Sequence, residues 1–216
     1  MSEITSTERQ SRSTDGLSTR RRNPLQSRSQ ATVRRILRAA SQLLAAASVE
    51  EITTSRIARK AGISVGALYR FFPEKQSIID AIAVRHMEEF QAEFEGRFAT
   101  LNLQDGPAFL GAVIDAFVAF LDARPDFRAI AFGPHISAST RRRQSDPDAV
   151  GAGLVKNFMI ARLGMKDLSA LDLRLRVAIE TGERIFAFAY EHNDAEERAR
   201  IIAELKTLLS GYLFGA

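Results

Sequence analysis

Three features of the sequence predict an all-α fold of about nine or ten helices. From Ser29 onward, apolar residues recur at steps of three and four almost everywhere, the spacing that lines one face of a helix. No run shows the period-two alternation of a half-buried strand. Glycines, prolines and capping residues fall at the ends of the periodic runs, where helices start and stop.

The elements follow in order. Val33, Ile36, Leu37, Ala40, Leu43, Leu44 and Ala47 mark one face of a first helix. A short helix from Thr54 to Ala61 turns Ile57 and Ala58 inward, and Gly62 breaks it. Ser64 is placed to cap a second short helix running to about Phe71. Pro73 opens a long helix with Ile78, Ile82, Phe90, Phe94 and Phe98 in a stripe. Phe109, Val113, Phe117 and Phe120 mark a helix ending near Arg124, and Pro125 starts the next. Residues 137–148 (SASTRRRQSDPD) read as an exposed loop. Val150, Leu154, Val155, Phe158 and Met159 mark a helix stopped near Gly164, and residues 168–191 form a long one. Asp194 and Glu197 make a capping-box-like opening to the last helix, where Ile201, Leu205, Leu208, Leu209 and Tyr212 keep helical spacing.

The chain has 216 residues, 45% hydrophobic and 26% charged, enough for one large domain or two small ones sharing a core. It has no cysteine, which excludes disulfides and thiolate metal sites. His86, His135 and His192 lie far apart in sequence, so neither a metal centre nor a cofactor is expected. No run reaches the roughly 18 uninterrupted apolar residues of a membrane helix, and the polar, arginine-rich start does not read as a secretory signal. A soluble, cytoplasmic protein with no membrane partner is expected.

Charge divides the chain. Residues 1–28 carry six arginines against three acids, and residues 29–75 carry eight basic groups against three acidic ones. Residues 76–216 hold 16 basic and 20 acidic groups. A basic end on an acidic body suggests a polyanion-binding module joined to something else. Residues 1–28 are rich in Ser, Thr, Arg and Gln and read as a disordered basic arm. Arg20, Arg21 and Arg22 could follow a phosphate backbone or enter a minor groove, or the arm could only solubilise.

Residues 29–75 meet the requirements of a helix-turn-helix DNA-binding domain. Ile57, Ala58, Ile63 and Leu68 can close a small core between two short helices, with Ala58 small enough for a close crossing and Gly62 in the turn. The second helix would present Val65, Gly66, Ala67 and Arg70 to a major groove.

The stretch ITTSRIARKAGISVGALYRFFPEKQSIIDAI, residues 52–82, preceded by RRILRAASQLL, resembles the tetracycline-repressor (TetR) family of transcriptional regulators. The likeness covers residues 29–82, with an RPDF turn at 124–127 also familiar, and Ser48 stands where the family usually has glycine. The resemblance implies that Thr54, Ser55 and Arg56 touch a phosphate or the groove edge. It places Ser64, Val65, Gly66 and Ala67 at base edges, and Tyr69, Arg70 and Lys75 on phosphates. Val65 and Ala67 suit thymine methyl groups. Lys75 lies in the first turn of a helix, a poor place for a cation unless an anion sits there. Against these stand plainer readings: Thr54 as a helix cap, Tyr69 as a core aromatic, and Phe72 as packing.

Residues 76–216 are then expected to be a helical ligand-binding and dimerisation domain. Twelve of the 14 phenylalanines lie there, and most must be core. The resemblance implies a cavity for a small apolar or aromatic effector, with His86, Phe90, Phe94, Phe117, Phe120, Phe132, His135 and Phe158 as candidate lining. His86 stands out because it lies four residues from both Ile82 and Phe90 on an apolar stripe, where it needs a partner or a ligand. Arg141, Arg142 and Arg143 read as solvated. Ala178, Gly182, Phe186 and Ala189, with Leu205, Leu209 and Tyr212, are expected at a homodimer interface, a four-helix bundle by resemblance, unless they only close the subunit's own core.

The functional expectation is a ligand-responsive repressor, homodimeric on palindromic double-stranded operator DNA. A regulator with no ligand, an activator, a nonspecific nucleoid-like protein and an enzyme or lipid carrier are the alternatives. No Ser/His/Asp set, paired-acid constellation or glycine-rich phosphate loop supports an enzyme.

Overall fold

In a computed structural model of the chain, residues 24–98, 105–132, 134–144, 168–191 and 194–215 are described, together with 153, 156, 157, 159–161 and 164. All regular structure among them is helical. Helix α1 (Pro24–Leu44) starts earlier than composition suggests. Residues 24–28, assigned above to the arm, are already its first turn, because Pro24 supplies the pre-set φ and needs no N–H partner there. The remainder of the arm, including Arg20, Arg21 and Arg22, lies outside the described residues.

Two short helices follow, α2 (Thr54–Ala61) and α3 (Val65–Tyr69). The α2 cap is Thr53 rather than Thr54: its hydroxyl accepts from the Arg56 N–H at 3.2 Å. Gly62 ends α2 in the left-handed region at φ 65°, ψ 40°, a conformation that a Cβ would strain. Ser64 caps α3 by accepting from the Ala67 N–H at 3.1 Å. The α2–α3 turn is gripped from outside by Arg35 of α1, which donates to the Ala61 carbonyl (2.7 Å from Nη2) and the Gly62 carbonyl (3.1 Å). These carbonyls have no partner within α2, so the guanidinium satisfies the helix end and complements its dipole.

The body is built from α4 (Lys75–Phe98), α5 (Gly106–Ala123), α6 (Pro125–Ala131), α7 (Ala138–Gln144), α8 (Leu168–Glu191) and α9 (Ala195–Phe214). The segment expected to be an exposed loop contains α7 instead. Ser137 starts that helix, its hydroxyl accepting from the Thr140 N–H, and Thr140 is buried despite its polar neighbours. Asp80 of α4 accepts from the Ser137 N–H at 3.0 Å, and Gln76 donates to the His135 carbonyl at 2.7 Å, fixing this corner to α4. Asp105 caps α5 and Asp194 caps α9. Helix α5 is long and apolar enough to cross a membrane by length and composition. Here it packs against α4, α6 and α9 as part of the body.

One continuous apolar core runs from Ile36 of α1 to Leu213 of α9. Helix α1 packs on α2 and also on α4 and α6, so the helix-turn-helix shares its foundation with the body. A polar joint sits in that foundation. His86 of α4 is buried, and its Nε2 donates to Asp126 Oδ2 of α6 at 2.8 Å, while its Nδ1 lies 3.1 Å from Glu89 Oε2. Beside it, Arg85 donates to Ser41 Oγ of α1 at 3.0 Å and approaches Asp126 Oδ2 at 3.8 Å. Arg124 lies over the Phe120 ring, 3.6 Å from its centroid, and pairs with Glu93 and Glu89.

Burial alone would push the Asp126 carboxyl up. Hydrogen bonds from His86 and Ser41, the His86 charge and the Phe127 N–H outweigh it and hold the group at about 2, below its ordinary 3.8. A carboxyl depressed on folding adds stability above its unfolded value and loses it as pH falls toward the folded one. Wild-type stability is therefore expected to drop between about pH 4 and pH 2. Asp126→Asn should cost about 1–3 kcal/mol at pH 7 and flatten that acid limb, as urea titrations across the pH range would reveal.

Candidate nucleic-acid interface and apolar cavity

Ile57, Ala58 and Leu68 are fully buried between α2 and α3, and Ile63 packs on them. This small core fixes which side of α3 faces out. Ser64, Val65, Gly66, Tyr69 and Arg70 are exposed and Ala67 is half-buried. Nothing lies within 4 Å of where a Gly66 Cβ would stand, so the backbone there is open to close approach. Ser55 is exposed too, while Thr54 and Arg56 are half-buried.

Several of these side chains already have partners. The Ser64 hydroxyl is occupied by capping. Tyr69 is not a core aromatic; it is 48% exposed, and its hydroxyl meets Thr54 Oγ1 at 3.1 Å, clipping α3 to α2. Arg56 donates to the Glu51 carbonyl at 2.6 Å and Lys75 to the Val49 carbonyl at 3.0 Å. Lys75 thus has an internal reason to sit at the start of α4: it ties down the segment between α1 and α2. A carbonyl leaves the ammonium charge in place, so the surface stays positive. Arg59 and Lys60, in the last turn of α2, and Arg34 and Arg38 of α1 are exposed cations that motif matching did not single out. Their only sequence signal was the charge excess of residues 29–75.

In the body, α4, α5, α6, α8 and α9 line a partly open apolar cavity of about 200 Å³. Of the candidate lining residues, Phe90, Phe117 and Phe132 are on its wall. Phe94 and Phe120 are buried beside it, packed edge-on against Phe109 and Phe90. His86 is a partnered core histidine in the joint with Asp126, and His135 lies against the first turn of α4, its carbonyl held by Gln76 and its ring 3.9 Å from Glu50. Phe158 lies outside the described residues. Met87, Ile136, Ile179, Gly182, Glu183 and Phe186 also line the cavity, and the apolar pattern gave no sign of Glu183 there. A wider groove of about 590 Å³, mixed in polarity, runs between Ala45–Ala47, α6 and the end of α8.

The residues expected at a dimer interface mostly face inward. Ala178, Phe186, Ala189, Leu205 and Leu209 are buried within the subunit, as is Gly182. Ala178, Gly182, Phe186 and Leu209 line the cavity. They are the inward stripe of their helices, and helical spacing alone could not tell that stripe from the outer one. The outer stripe carries Leu173, Val177 and Phe188 on α8 with Leu208 and Tyr212 on α9, all large apolar residues between 38% and 57% exposed. The Arg174 guanidinium lies 5.9 Å from the Tyr212 ring, which sets the two rows side by side. Tyr212 is the one expected interface residue on this face.

Residues 36–82 match the model of bacterial regulatory proteins of the tetR family, and residues 107–213 match that of the tetracyclin repressor-like C-terminal domain. Among solved structures, a TetR-family transcriptional regulator from Streptomyces coelicolor is similar at 24% identity, covering 84% of this chain and 97% of that one, with a TM-score of 0.64. RolR, solved with its ligand resorcinol, is similar at 14% identity over 87% of this chain and 93% of its own, TM-score 0.64. The fatty acid degradation regulator FadR from Bacillus halodurans aligns at 14% identity over 85% and 98%, TM-score 0.61. A search among curated proteins finds no match.

The different environments of Arg70 and Lys75 separate contact from support. Arg70→Ala should weaken duplex DNA binding, lower the salt slope by about one and leave the melting temperature unchanged. Lys75→Ala should weaken binding and also cost stability on the order of 1 kcal/mol through the lost Val49 bond. Fluorescence anisotropy across salt concentrations, paired with thermal melts, distinguishes the two.

Proposed function

The chain belongs to the tetR family of bacterial regulatory proteins, and on that premise we propose a homodimeric repressor of transcription that releases palindromic operator DNA when a small apolar or aromatic molecule fills the cavity. The observation that carries this reading is a pair of neighbours on each of two helices. On α4, His86 sits in the polar joint and Met87 on the cavity wall. On α6, Asp126 sits in the joint and Phe127 on the wall. The His86 and Phe127 rings lie 5.2 Å apart. A molecule pressing on Met87 and Phe127 therefore acts on the contacts that set α4 and α6 against α1, and α1 holds α2 and α3.

Release requires that the effector bind the state with wrongly spaced recognition helices more tightly, since equal affinity shifts nothing. The outer stripe of α8 and α9 supports the dimer, being a row of large exposed apolar residues that a second copy would cover. Two α3 helices related by that dyad would reach half-sites about one helical turn apart. A bound resorcinol in the similar fold of RolR supports a small aromatic occupant here.

Selection of bound fragments from random duplex DNA should return a palindrome. Val177→Glu on the outer stripe should yield a monomer in sedimentation and cut affinity for that palindrome by about 100-fold or more, as the second half-site is lost. A dimer unaffected by this charge would place the interface elsewhere. Gly182→Leu is expected to leave operator binding intact and abolish the response to effector, because no atom lies within 4 Å of a Cβ at 182 and the new side chain would occupy the cavity. Operator affinity unchanged at saturating effector in the wild type would instead leave a DNA-binding regulator without a small-molecule signal.

A further inference from the structure

We infer that the cavity selects a cationic ligand, a small aromatic or alicyclic molecule carrying a protonated amine, with Glu183 as its counter-ion. The inference rests on the reading of the cavity as the effector site and adds the chemical class of the effector. Among the described residues lining the cavity, Glu183 alone is ionisable; every other side chain on the wall is apolar. With the described residues its carboxylate makes neither a hydrogen bond nor an ion pair. The residue is half-buried, and an acid withdrawn even partly from water gains from such a partner. Burial pushes the Glu183 carboxyl up, Glu180 pushes it further, and Arg141 from α7 works against both. An apolar wall gains nothing from such a group, and a leucine there would pack better. A ligand ammonium would supply the missing partner through a charge-assisted hydrogen bond.

The rest of the wall suits the rest of such a ligand. Phe117 and Phe186 meet edge to face with ring centroids 5.2 Å apart, and Phe132 stacks on Phe186 at 6.1 Å. Aromatic faces favour both a ring and a cation beside it. Glu183 lies on α8 between Ile179 and Phe186, one residue from Gly182, whose missing side chain leaves open space next to the carboxylate. A dry cavity of about 150 Å³ admits benzene, so about 200 Å³ admits one ring with a short aminoalkyl arm.

The test uses three probes of one shape on the full chain by isothermal titration calorimetry: phenethylamine (cation), phenethyl alcohol (neutral) and phenylacetate (anion). Wild type should bind the amine about tenfold or more tightly than the alcohol, and phenylacetate most weakly. Glu183→Gln should keep its alcohol affinity and lose the amine advantage, leaving the two within about twofold. Gly182→Leu should bind none of the three. An amine advantage missing in wild type, or surviving in Glu183→Gln, overturns the inference while alcohol binding blocked by Gly182→Leu leaves the cavity as the effector site. No binding of any probe to wild type, or binding indifferent to Gly182→Leu, overturns both.

Discussion

The contact on which the rest of this structure depends is the hydrogen-bonded pair of His86 and Asp126, with Arg85 reaching from the same place to Ser41. Three helices meet there. Helix α1 carries the helix-turn-helix, α4 runs from it into the body, and α6 spans from α1 to the cavity. Apolar packing alone would let such helices settle at several nearby rotations, since dispersion has no direction. A buried hydrogen bond of 2.8 Å has direction, and breaking it leaves charges unpaired. The joint therefore sets one angle between reading surface and body sharply. Any second angle must find new partners for the same groups, the kind of discrete alternative that a two-state response needs.

The cavity is the counterweight to that joint. Met87 and Phe127 bring its wall to within one residue of His86 and Asp126, so the wall and the joint cannot move independently. The wall is also a gap in a core that is otherwise continuous. A void costs contacts on every surface that lines it, and Gly182 and Glu183 enlarge the cost, one by removing a side chain and the other by drawing a charge partly out of water. On the proposed reading, the same imperfections give an effector its binding energy, because the molecule restores contacts and charge balance that folding left incomplete.

Much of this was legible in the sequence, for identifiable reasons. The helix-turn-helix depends on local signals, Gly62 and Ser64 at the boundaries and Ile57, Ala58 and Leu68 inward, all within a few residues of each other, although its first cap is Thr53 and not the expected Thr54. Helix α7 was missed because its arginine run suggested solvent, and its anchors, Asp80 and Gln76, are more than fifty residues away. The grip of Arg35 on the Ala61 and Gly62 carbonyls is equally remote, and in the sequence that residue was only one more positive charge. Lys75 was placed on phosphate by resemblance, with its unfavourable local position as support; the Val49 carbonyl that relieves that position belongs to the preceding inter-helix segment. Phase was the larger difficulty on α8 and α9. Each carries two apolar stripes, and period alone fixes neither which one the subunit consumes nor which one it leaves out.

That two-stripe design bears on how the dimer and the cavity relate. Phe186 faces the cavity and Phe188 faces out, and the same holds for Leu209 and Leu208. Helices α8 and α9 are thus the floor of the cavity and, on the proposed reading, the shared wall between subunits. Two copies clamped through the outer stripe would hold both floors fixed, because neither helix could shift without opening the interface. An occupant could then displace only the opposite side of the cavity, which is α4 and α6, the two helices that meet at His86 and Asp126. The dimer contact would do more than bring two recognition helices together. By immobilising one wall, it would direct whatever expansion the ligand causes toward the joint, and through α1 toward the surface that meets DNA.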